Sequence, residues 1–97
     1  MIIVIGDVRV QSDSLGEALR LSRKHVERSR TESGCISHDV HQHVDDEHRL
    51  VFVERWADHH ALQAHFAVPE SIEFAEALTG LAAAPPKMDV YEVAAAE

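Results

Sequence analysis

The chain is 97 residues long, 45% hydrophobic and 27% charged, with 17 acidic against 9 basic residues and a formal net charge of −8. A chain of this length is expected to form one domain, residues 1–97, and a charge of this sign repels a phosphate backbone, which argues against nucleic acid as a partner. No run approaches the roughly 20 apolar residues of a membrane-crossing helix, so no membrane partner is expected. Cys35 is the single cysteine, which excludes an internal disulfide and a cysteine-based zinc site.

Ile2 to Val10 reads as a first strand, apolar at nearly every position up to Asp7 and alternating beyond it. Its opening lacks a basic flank and is broken by Gly6 and Asp7, so it is read as strand rather than signal peptide, with the cytoplasm as the expected location. Ser14 and Glu17 have the spacing of a capping box. Leu15, Ala18, Leu19, Ser22, His25, Val26 and Ser29 then repeat at helical spacing and predict a helix ending near Arg30. Two strands follow, Cys35 to Val44 and His48 to Trp56, joined by the short acidic turn Asp45-Asp46-Glu47. Asp58 is placed to cap a helix whose apolar stripe is Ala61, Leu62, His65 and Phe66. Pro69 sits in the first turn of a second helical piece carrying Ile72, Phe74, Ala75, Leu78 and Leu81, ended by Gly80 and the Ala82 to Pro86 run. Lys87 to Val93 is the last strand, and Ala94 to Glu97 reads as a frayed tail.

Strand, helix, strand, strand, helix, strand is the order of a ferredoxin-like α+β sandwich: a βαββαβ chain forming a four-stranded antiparallel sheet with its helices on one face. Helices cover only that face, yet Ile2 to Ile5 and Leu50 to Val53 are apolar on both. A second copy of the chain, sheet against sheet, is the expected cover, so a homodimer is expected.

Alternation places Leu50, Phe52, Glu54 and Trp56 on one face of the third strand, and Ile36, His38, Val40 and Gln42 on one face of the second. Glu54, Trp56 and His65 are thus the groups expected to converge on a pocket, with Phe52, His38 and Phe66 beside them. His41 and His43 share the opposite face of their strand, two positions apart, but spacing dictates no third ligand, and no metal is expected.

Glu54-Arg55-Trp56, followed by Ala61-Leu62 and His65-Phe66 and preceded by Gly34-Cys35, resembles the antibiotic biosynthesis monooxygenase family from Ile2 to Val93. The resemblance implies a dimeric α+β barrel and oxidation of quinol, anthrone or related phenolic substrates by O2 without metal, flavin or haem. The family's haem-degrading branch uses an asparagine, a tryptophan and a histidine. This chain has no asparagine, and the other two positions fall on His65 and near Ala75.

Such an oxygenase needs a base to form the substrate anion and an apolar pocket to desolvate it. His65 suits the base; its alternative is a bond to a backbone carbonyl. Glu54 is either its partner or an ion-pair partner of Arg49 or Arg55. Trp56 is either a stacking wall for an aromatic substrate or a core residue, and His38 either a second pocket group or a satisfied buried imidazole. Two further functions stay open: a non-catalytic small-molecule-binding dimer, and an isomerase of a small hydroxyketone using the same base.

Overall fold

The structure, a computed structural model, describes residues 1–94. Its elements are β1 (Ile2–Arg9), α1 (Leu15–Ser29), β2 (Cys35–His43), β3 (Asp46–Trp56), α2 (His59–Ala67), α3 (Pro69–Leu81) and β4 (Lys87–Glu92). The four strands form one antiparallel sheet in the order β2-β3-β1-β4, the ferredoxin-like α+β arrangement. From residue 95 on, the expected frayed tail lies outside the described residues. No helix among them is long and apolar enough to cross a membrane.

The inward faces of the sheet carry the core. Val8, Leu50 and Phe52 pack with Ala18 and Val26 of α1 and Leu78 of α3. A second cluster joins Ile2, Val4 and Trp56 to Ala61 and Leu62 of α2. Residue 54 falls between Phe52 and Trp56 on the same buried face, so Glu54 lies on the seam between two apolar clusters.

Four local expectations are corrected. The Ser14–Glu17 capping box does not form: the Ser14 hydroxyl donates to Asp13 Oδ1 at 3.2 Å, and Glu17 pairs with Arg20. That ion pair occupies the carboxylate that would have reached back. The hairpin turn is Val44-Asp45, because Asp46 is already in β3, where its carboxylate accepts from the His48 amide and the Arg9 guanidinium. Between β3 and β4, where the βαββαβ order counts one helix, the two helical pieces form two separate helices. Val68 is extended, with φ −65° and ψ 128°, as a residue preceding proline is driven to be.

The fourth correction concerns β2. Cys35 pairs with Trp56 but Ser37 pairs with Arg55, a bulge that turns Ile36 outward into solvent and leaves Cys35, not Ile36, on the inner face.

Candidate functional site

The site grows from the inward face of β3. Glu54 is buried and accepts a hydrogen bond from Trp56 Nε1 at 2.9 Å. Two positions apart on one strand, the two side chains point the same way, so the indole N–H is a local partner that the strand itself supplies. From β2, directly opposite, His38 brings its Nε2 to 3.3 Å from the same carboxylate oxygen, Oε1. From α2, His65 brings its Nε2 to 3.8 Å.

Burial opposes charge on Glu54 and is the largest single influence. The His38 imidazole, the Trp56 N–H and the His65 imidazole together outweigh it, and hold the carboxyl below the usual range. Glu54 is therefore a buried carboxylate at neutral pH.

His65 has a second carboxylate that local sequence patterns did not reveal. Its Nδ1 lies 2.8 Å from Oε1 of Glu32, in the turn between α1 and β2. Glu32 also receives Arg28 Nη1 at 3.3 Å, and the same guanidinium reaches Ser71 Oγ at 3.0 Å and His25 Nδ1 at 2.9 Å. Spacing within a loop carries no periodic signal, so nothing short of tertiary contact marks Glu32. The expected pairing of His65 with Glu54 is thus corrected: the close partner is Glu32, and Glu54 stands further off, across the imidazole.

A cavity of about 420 Å³ opens between the sheet and the helices. Gly6, Val8 and Phe52 line it from the sheet, and Phe66, Phe74 and Leu78 from α2 and α3, with Glu54, His38, His65 and His25 as its polar groups. His25 lies flat on Phe74, with ring centres 4.0 Å apart. Burial, then the neighbouring His38, His65 and Arg28, push the pKa of His25 down to about 3, so it is a neutral imidazole.

The structure therefore brings His65, Glu54, His38, Phe52 and Phe66 to one cavity, Phe66 being 41% exposed at it. It does not bring Trp56 there. The indole is completely buried, tilted against His65 at a ring-centre distance of 4.6 Å, so a substrate has no indole face to stack on. Trp56 fills space between sheet and α2 and fixes the Glu54 carboxylate. His25, read from its spacing as part of the apolar stripe of the first helix, is a further polar group of the cavity.

A ferredoxin-like sheet with a buried acid–histidine cavity under its helices defines the class of small α+β proteins to which this chain belongs. A family model described as antibiotic biosynthesis monooxygenase matches residues 1–77, and the chain is a member of that family. The match stops short of the Val93 limit read from the residues. An uncharacterised Synechocystis protein, sll1783, is 34% identical over 93 residues; the match covers 96% of this chain and 63% of that protein, so the chain spans under two thirds of this relative's length. Among solved structures, Rv0793 from Mycobacterium tuberculosis superposes with a TM-score of 0.91 at 23% identity, covering 98% of this chain and 96% of that one. PA3566 from Pseudomonas aeruginosa gives a TM-score of 0.86 at 26% identity, covering 97% and 94%.

Proposed function

We propose that the protein is a cofactor-independent monooxygenase that oxidises a quinol, anthrone or related polycyclic phenol with O2. Family membership supports oxygenase chemistry of this general kind. The observation that carries the finer reading is His65: a buried imidazole with Glu32 on Nδ1, its other nitrogen near Glu54, at the edge of an apolar cavity. Glu32 holds the tautomer with the proton on Nδ1, which leaves Nε2 free to accept a proton.

For an anthrone the steps run as follows. His65 Nε2 takes a proton from the ring methylene, and Glu32 and Glu54 flank the imidazolium so formed. The anion passes one electron to O2, and the two radicals combine into a carbon-bound peroxide. The imidazolium returns its proton to the peroxide, and loss of the second methylene hydrogen with cleavage of the O–O bond then releases water and leaves the quinone. One O2 is consumed, one oxygen atom enters the product and the other leaves as water. Phe52, Phe66 and Phe74 keep the anion out of water, which raises its readiness to give up an electron. His38 and Glu54 are the polar groups available to a substrate oxygen. The reading includes a homodimer, supported by the apolar outer face of the sheet.

Oxygen uptake by chelator-treated protein with a panel of quinols and anthrones tests this. His65→Ala is expected to lower the catalysed rate by about 10²–10⁴-fold, the usual worth of a general base. Glu32→Gln, which removes the orienting charge, is expected to lower kcat by roughly tenfold or more with KM little changed. Uptake no faster than spontaneous oxidation across the panel overturns the reading.

A further inference from the structure

Three of the chain's eight histidines, remote in sequence, meet beneath the sheet: His25 of α1, His38 of β2 and His65 of α2. Each is at least nine-tenths buried, at 8%, 1% and 3% exposure. One nitrogen from each lies within 4.8 Å of one from each of the others. Their ring centres are 5.2, 5.3 and 5.6 Å apart. Three imidazoles sharing one ion at bonds of about 2.0–2.1 Å hold their ring centres roughly 5.2–5.5 Å apart, in tetrahedral or trigonal geometry alike. The ring centres stand at about that separation, and the ligand nitrogens, which lie within 4.8 Å of one another, turn inward by roughly 1 Å to share an ion.

His38 faces the Glu54 carboxylate and packs against neighbouring rings, but its hydrogen-bonding capacity is left unused. Both of its ring nitrogens are buried without a hydrogen-bond partner among the described residues, and its 3.3 Å approach to Glu54 is too poorly aligned to count as one. Leaving a buried imidazole so is unfavourable, and a shared ligand would remove that cost. We propose that His25, His38 and His65 form a binding site for one divalent transition-metal ion of the kind that imidazole prefers, zinc or copper, entered from the cavity.

The surroundings suit this assignment. Glu32 on His65 Nδ1 is the carboxylate–histidine arrangement that orients a metal-ligating imidazole. Glu54 Oε1, near both His38 and His65, supplies a negative charge beside the ion. Arg28 touches His25 Nδ1 but has Ser71 and Glu32 as further acceptors, so it gives up that contact without losing all its partners. No neighbouring residues of the sequence encode the triangle, because each ligand comes from a different element. The site also occupies the proposed base: an ion bound to His65 takes the lone pair that would accept the substrate's proton, so metal is expected to inhibit metal-free turnover.

Chelator-stripped protein titrated with Co²⁺ and then Zn²⁺ tests the site without reference to turnover. The expected result is the visible absorption of tetrahedral Co²⁺, saturating at a single ion per chain and bleached by Zn²⁺, with a Zn²⁺-dependent rise in melting temperature. His38→Gln and His25→Gln are expected to weaken binding at least tenfold, and the hairpin variant His41→Gln/His43→Gln to leave it unchanged. No saturable Co²⁺ spectrum at micromolar metal overturns the site, as does binding lost only with the hairpin histidines. Should the His38 variant not fold, imidazole NMR of the intact protein decides. Zn²⁺ shifting the resonances of His25, His38 and His65 together supports the triangle; shifts confined to other histidines overturn it. Oxygen uptake without metal binding overturns this site alone, whereas metal binding without oxygen uptake overturns only the oxygenase reading.

Discussion

Among the buried polar residues, His25 has the clearest consequence for stability. Its neutral form is favoured in the fold because burial penalises the imidazolium and His38, His65 and Arg28 disfavour a further positive charge beside them, while Glu32 and Glu54 lie beyond them. The folded pKa, about 3, is below the ordinary 6.5. Above pH 6.5 both folded and unfolded states carry a neutral ring, so the shift has no effect there. Below it the unfolded chain takes up a proton that the fold refuses, and stability falls by at most about 1.4 kcal/mol per pH unit until the folded ring titrates near pH 3. Glu54, held below its usual range, adds an acid-sensitive contribution at lower pH. Urea unfolding in the presence of chelator at pH 6.5 and 5.0 is expected to show the wild type losing about 1.7 kcal/mol more than His25→Gln. Equal losses would show that His25 protonates in the fold.

At the scale of elements, the turn into β2 sets where α2 can sit. Gly34 has φ 82°, in the left-handed region, and a Cβ added there would stand 2.5 Å from the Ala61 Cβ of α2. Its carbonyl accepts from the Ala57 amide at 2.8 Å, tying the start of β2 to the end of β3. Gly34→Ala therefore combines backbone strain with a clash against a helix that carries His65. It is expected to cost about 2–4 kcal/mol, measured as a shift in urea midpoint; a loss below about 1 kcal/mol would mean that α2 moves freely. The bulge that follows is equally specific. Continued without it, the Cys35–Trp56 register would set Ser37 opposite Glu54 and turn His38 outward; the extra residue restores His38 to the inner face.

For the whole molecule, the decisive feature is the sheet's outer face. Ile3 and Ile5 of β1 and Val51 and Val53 of β3 lie there, half-buried, and Tyr91 of β4 sits beside Ile3 half-exposed. On the other side of β4, an edge strand, Met88 and Val90 are also exposed. Sheet-on-sheet association would remove the outer face from water and add to the limited burial of a small chain. Sedimentation at micromolar concentration is expected to give about twice the 10.8 kDa of one chain, and Val53→Arg to return it to a monomer. A wild-type monomer would sink the homodimer.

Apart from the division of the second helix into α2 and α3, the order and type of the elements, the inward set Leu50, Phe52, Glu54 and Trp56, and the Asp58 cap of α2 were readable from the chain, because strand alternation and helix caps are local rules acting over two to four residues. Tertiary structure alone decided three things. A bulge reversed the parity of β2 and put Ile36 outside; an inter-element turn delivered Glu32 to His65; and the packing of α1 and α2 on the sheet gathered His25, His38 and His65 into one triangle. Each depends on residues distant in sequence approaching within a few ångströms, and local periodicity holds no information about such distances.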